Sequence, residues 1–229
     1  MKKFASTLLA VSCLSVIPVG AQTITQWTFE SSVPAGTGAA IGSIAAENGV
    51  GTASGLHASA ATTYSSPAGN GSTHSFSANT WATGDYFQFQ SSTVGFSNIS
   101  LSFDQTSSGT GPKFFDLAYS TDGSTFTTFV SQNTVLANSS PNAWSVGTAV
   151  PAANFYYDLS SVAALNNASS VYFRLIENSG TTSASGGVLG TGGTDRVDNF
   201  TLAVVPEPST FALIGLGGAG LLAFRRRKN

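Results

Sequence analysis

Short runs in which apolar and polar residues alternate one for one, separated by turn-forming residues, set the tightest limit on how this chain can fold. Thr23 to Glu30 opens the series, and Asp85-Tyr86-Phe87-Gln88-Phe89-Gln90 repeats the pattern. Residues 96–104 place Ile99, Leu101 and Phe103 on one side, and residues 113–120 do the same with Phe115, Leu117 and Tyr119. A period of two belongs to half-buried strands, because successive side chains of a strand point to opposite faces. Asp122-Gly123 favours a tight turn, so residues 125–130 are expected to return as the next strand. Residues 154–159, then Val171, Phe173 and Leu175, and finally Phe200, Leu202 and Val204 complete the set. About nine or ten short strands without the spacing of strand–helix–strand units predict an all-β, antiparallel β-sandwich.

Helix has little place in this pattern. Ser160-Ser161 is expected to cap a turn or two through Val162-Ala163-Ala164-Leu165. Residues 31–63, rich in Ala, Gly and Ser, read as long loops with one or two short strands.

Both ends of the chain differ from the middle. Met1-Lys2-Lys3 precedes an apolar run from Phe4 to about Val19, and Val19-Gly20-Ala21 places small residues before Gln22. This is the form of a secretory signal peptide cut between Ala21 and Gln22, which implies the Sec translocon and signal peptidase as partners. Cys13, the one cysteine, falls inside it; a lipoprotein reading would acylate that residue, but Ala10-Val11-Ser12 is a poor lipobox. Without that segment no disulfide or thiolate chemistry remains, and folding must rest on the core.

At the other end stands Val205-Pro206-Glu207-Pro208-Ser209-Thr210, then uncharged Phe211 to Phe224, then Arg225-Arg226-Arg227-Lys228. Two prolines keep the backbone extended and out of any hydrogen-bonded ladder. The apolar run would make a helix of about 21 Å, short of the ~30 Å hydrocarbon core. Local thinning or a transient span would close the gap. Arg225, Arg226, Arg227 and Lys228 act as a stop-transfer block on the cytoplasmic side. A buried helix with a basic tail, or a permanent one-span anchor, are the competing readings; Gly215, Gly217 and Gly218 count against the first.

This tail resembles the PEP-CTERM sorting domain. The resemblance implies a Gram-negative bacterium that makes exopolysaccharide, recognition of Pro206, Glu207 and Pro208 by an exosortase, and a transient inner-membrane intermediate. Delivery to the outer surface or extracellular matrix would follow. The division expected is therefore a signal peptide over 1–21, a β-sandwich domain over 22–205 and a sorting signal over 206–229, with a signal helix and a hydrophobic helix flanking the sandwich.

Residues 22–205 hold ten carboxylates against three cations, Lys113, Arg174 and Arg196, a net charge of −7. Such a surface repels nucleic acid, whose binding depends on Lys and Arg contacts to phosphate. His57 and His74 lie in the irregular first third, outside any catalytic motif, and read as solvated loop residues. The expectation is a protein that is not an enzyme, with a structural or adhesive role among exopolysaccharide.

The strand motifs, from Trp27-Thr28-Phe29-Glu30 to Arg196-Val197-Asp198-Asn199-Phe200, also resemble the jelly-roll sandwich common ahead of such tails. In plan they are similar to secreted carbohydrate-binding and discoidin-like modules. That resemblance implies a structural calcium where first and last strands meet, with Glu30, Asp195 and Asp198 as hard oxygen ligands. The alternatives are a solvated Asp195–Arg196 loop, a turn capped by Asp198 and Asn199, and a Glu30–Arg196 ion pair. The aromatic residues are a second candidate site, since pyranose rings pack on exposed aromatic faces: Trp81 and Trp144, beside turn-like segments, are the candidates for glycan stacking, and ordinary core is the competing reading.

Overall fold

The computed structural model describes residues 21–205. The signal segment, the Pro-Glu-Pro triplet, the expected flanking helices and the basic block lie outside the described residues, apart from Ala21. Among the described residues no helix is long and apolar enough to cross a membrane.

Among the described residues there are fourteen strands: β1 (Thr23–Trp27), β2 (Gly36–Thr37), β3 (Ala40–Ala45), β4 (Gly51–Leu56), β5 (Thr63–Ser65), β6 (Phe76–Ala78) and β7 (Tyr86–Ser91) come first. They are followed by β8 (Ile99–Ser107), β9 (Phe114–Ser120), β10 (Thr127–Thr134), β11 (Leu136–Ala137), β12 (Asn154–Asp158), β13 (Val171–Glu177) and β14 (Asp195–Val204). One sheet of eight strands runs β11-β8-β14-β6-β5-β2, with β1 also on β14 and β12 also on β8. The other, of six, runs β10-β9-β13-β7-β4-β3. Every pairing is antiparallel except β11 on β8.

The all-β, two-sheet architecture follows the alternation closely. In β13, Val171, Phe173, Leu175 and Glu177 are buried while Tyr172, Arg174 and Ile176 are half-buried on the other face. Rings dominate the interior. Phe89 of β7 stacks on Phe200 of β14 at 3.6 Å and 5°, and Trp27 of β1 meets both edge-on at 5.3 and 5.8 Å. These contacts join strands of the two sheets across the core, where offset and edge-to-face ring geometries add to the burial of apolar area.

Two local expectations need correction. Residues 31–63 form β2, β3 and β4 and the start of β5, rather than mainly loop. Small residues make this possible: a Cβ on Gly51 would lie 2.6 Å from the Trp27 ring, so β4 approaches the core as only glycine can. The helical segment is a single 3-10 turn, Ala163–Leu165, whose N-cap is Val162 with no side-chain cap. Asp158 instead accepts the Ser160 N–H at 2.9 Å and turns the chain ahead of that segment, without capping it.

Candidate functional site

The first and last strands are neighbours, as β1 pairs with β14 over Trp27 and Phe200. That adjacency does not gather the three acids expected to hold calcium. Glu30, exposed beyond β1, accepts the His74 N–H at 2.7 Å. Asp198 lies opposite Asp104 of β8 at a register shift in β14, where Asn199 takes a φ of 52°. Its carboxylate accepts from Asn70 N–H (2.9 Å), Ser72 Oγ (2.6 Å) and Asn199 N–H (2.8 Å). Asn199 Nδ2 also donates to Asp104 at 2.9 Å, bridging the two acids.

Asp195 is on the inner face, fully buried, and accepts from Gln105 Nε2 at 3.0 Å and Ser107 Oγ at 2.8 Å. Each acid therefore has its own donors, and among the described residues no three His, Cys, Asp or Glu side chains group to hold a metal. Burial pushes Asp198 up to about 6, and drives Asp195 well above the usual carboxylate range. Asp198 works as a clasp on the loop before β6. A Cβ on Gly69 would sit 2.2 Å from its Oδ2, so that loop is drawn in against the carboxylate. The Glu30–Arg196 pairing is not formed either; Arg196 Nη1 donates to the Ala68 carbonyl.

Trp81 and Trp144 are not a sugar platform. Each is 6% exposed. Trp81 donates Nε1 to the Ala78 carbonyl and packs edge-on against Phe87 and Phe115. A position beside a turn brought the ring to the end of the core, not to the surface.

His57 is likewise interior, at 3% exposure, its ring 4.2 Å from Trp81 and edge-on to Tyr64. Nδ1 lies 3.3 Å from Asp85 Oδ2. Burial depresses its pKa and the nearby Asp85 carboxylate opposes that effect. His74 has different neighbours, Glu30 and the Ser66 carbonyl, and shares no partner with His57.

The surface that the sequence reading passed over is the outer face of the six-stranded sheet. Cross-strand register sets Tyr86 beside Ile176, Gln88 beside Arg174 and Gln90 beside Tyr172. The Arg174 guanidinium lies 3.9 Å over the Tyr86 ring and 3.7 Å over Phe126, and its Nε donates to Gln88 Oε1 at 2.8 Å. At the far end of the row Gln90 joins Thr52, Ser92, Ser169 and Ser170, with Val50 and Gly51, in lining an open groove. The signal was present in the alternation: these are the polar partners of the core residues in Asp85–Gln90 and Val171–Glu177.

The family model for the PEP-CTERM protein-sorting motif matches residues 204–228. No curated protein matches the chain. Among solved structures, the K2 cleaved adhesin domain of Lys-gingipain is similar with a TM-score of 0.42 and 14% identity, over 81% of this chain and 98% of that one. A family GH115 4-O-methyl-α-glucuronidase is similar with a TM-score of 0.32 and 11% identity, over 87% of this chain but 20% of the enzyme. The chain carries a PEP-CTERM protein-sorting motif behind an all-β, two-sheet domain, and the motif marks it as an exported protein sorted by an exosortase.

Proposed function

We propose that the domain is a non-enzymatic surface or matrix module that attaches to exopolysaccharide through the outer face of its six-stranded sheet. The observation that carries this reading is the row Tyr86, Gln88 and Gln90 beside Arg174 and Tyr172, running into a groove edged by Thr52, Ser92, Ser169 and Ser170. Side-chain amides and hydroxyls match the donor and acceptor pairs of sugar hydroxyls, and they stand on strands, which hold them in a fixed spacing. Tyr86, Tyr172 and Phe126 add ring surface between them. The sorting motif supports delivery to a place where such a polymer is met.

The reading is tested by affinity electrophoresis of residues 22–205 in gels containing the host's own exopolysaccharide. Retardation is expected, and Gln88→Ala with Gln90→Ala is expected to weaken it about tenfold, roughly the loss of one or two hydrogen bonds. Migration unchanged by the polymer overturns the proposal.

A further inference from the structure

Arg174 is one of only three cations in residues 22–205. Two rings lie against its guanidinium, Tyr86 at 3.9 Å and Phe126 at 3.7 Å, and Gln88 Oε1 holds Nε. The two Nη groups have no protein hydrogen-bond partner, and no carboxylate comes within ion-pair distance of them, among the described residues. Partial burial beneath these rings acts in the direction that disfavours its charge.

Acids on the same face are already engaged. Asp116, across from Ile176, accepts from Asn178 Nδ2, Ser131 Oγ and the Gln132 N–H. Asp122, in the turn under Tyr172, accepts from Ser120 Oγ and the N–H groups of Ser124 and Thr125. What remains is a guanidinium fixed in plane and direction with its donor edge unused, a geometry suited to a two-point bond to a planar carboxylate.

Building on the polysaccharide reading above, we infer that Arg174 receives the carboxylate of an acidic sugar, a uronic acid residue of a polymer lying along the Gln88–Gln90 row. One isolated cation suits a monoanion. The net charge of −7 on the domain opposes a densely charged strand such as nucleic acid, though salt screens that repulsion beyond about 8 Å. A chain with carboxylates spaced among neutral sugars satisfies both conditions. Gln88 beside Arg174, and Gln90 with the hydroxyls of the groove beyond it, then take the sugar hydroxyls of neighbouring residues.

The test compares two polymers that have the same sugars and different charge, with a second uronate polymer beside them. Residues 22–205 are titrated by calorimetry with partially esterified pectin, fully methyl-esterified pectin and hyaluronan, and the host exopolysaccharide is run in parallel by affinity electrophoresis. Partially esterified pectin or hyaluronan is expected to bind at least tenfold tighter than the full ester. Arg174→Gln removes that difference, and Arg174→Lys, which keeps the charge without the fork, restores only part of it; thermal melts show whether both variants remain folded. Equal binding of the two pectins overturns the carboxylate assignment and leaves the polysaccharide reading in place. So does retardation by the host polymer that is the same for the native domain and Arg174→Gln while no charged probe binds. Failure of the host polymer itself to bind removes both.

Discussion

The backbone N–H of Val204 donates to the carbonyl of Gln22 at 2.9 Å, so the last strand is fastened to the residue that follows the expected signal-peptide cut. Val205 is held too, its N–H on the Asn98 carbonyl at 2.7 Å. The Pro-Glu-Pro triplet begins at the next residue. A protease that takes an extended substrate into a cleft must therefore work flush against the sheet, or loosen the end of β14 at about 1 kcal/mol for each bond released. A flexible Gly/Ser insert of about eight residues between Val205 and Pro206 is expected to speed processing, since it spans roughly 15 Å. Pulse-chase conversion of precursor to mature protein in the host measures this. An unchanged rate would show that the sheet does not restrain the motif.

Asp198 makes stability depend on pH in a definite direction. Its folded pKa is raised to about 6 from an ordinary 3.8, so the folded state holds the proton more tightly than the unfolded chain. Its contribution is most favourable below the unfolded value and is lost as pH rises through about 6. Asp195, raised for the same reason, acts with the same sign. His57 acts oppositely: its lowered pKa adds stability above its unfolded value, lost as pH falls. The Asp198 part is isolated by comparison with Asp198→Asn, which cannot ionise. The variant is expected to be the less stable at pH 4, having lost an acceptor for Asn70, Ser72 or Asn199, and to recover about 2 kcal/mol relative to the native domain by pH 7. Urea unfolding across that range gives the difference; a gap that stays constant would contradict it.

Strand faces were legible in the sequence, and the reasons lie in particular residues. β13 and β14 have the bounds that alternation implies, because Phe173, Leu175, Phe200 and Leu202 each need a buried partner and no glycine interrupts them. Residues 36–56 were not legible. Their inner positions are filled by Ala53 and Gly55 under Tyr64 and Ile41, residues too small to leave a hydrophobic period. The candidate calcium site failed for a related reason. Adjacent strands were foreseen, but a register shift at Asp198 and the inward side chain of Asp195 send neighbouring carboxylates to different donors. Arg174 was visible as a rare cation, yet its ring partners, Tyr86 and Phe126, come from separate strands and a turn that only the fold brings together.

Asp85 ties the His57–Ala58 segment to the turn that runs from Ala82 to Asp85 itself. Its two oxygens accept the N–H groups of Ala58 and Ala82 at 2.7 Å each, and Oδ2 lies 3.3 Å from His57 Nδ1. Asp85→Ala leaves the Ala58 and Ala82 N–H groups without their acceptor and removes the carboxylate beside the His57 ring, and is expected to cost about 3 kcal/mol. Asp85→Asn retains one acceptor and should cost about half as much. Thermal and urea unfolding read both; a loss under ~0.5 kcal/mol for the alanine variant would mean that water replaces the carboxylate without penalty.

Trp27, Trp81 and Trp144 are 1%, 6% and 6% exposed, so no indole face is offered to a ligand. Steady-state emission of residues 22–205 is expected to lie well to the blue of free tryptophan, and acrylamide should quench it weakly until the domain is unfolded in urea. Polysaccharide bound on the outer face meets Tyr86, Tyr172 and Arg174 rather than an indole, so saturating amounts should leave the tryptophan spectrum unshifted. The same titration followed by the ring signals of Tyr86 and Tyr172 in NMR should respond. A blue shift in tryptophan emission on binding would place the polymer against Trp81 or Trp144 and overturn the assignment to this sheet face.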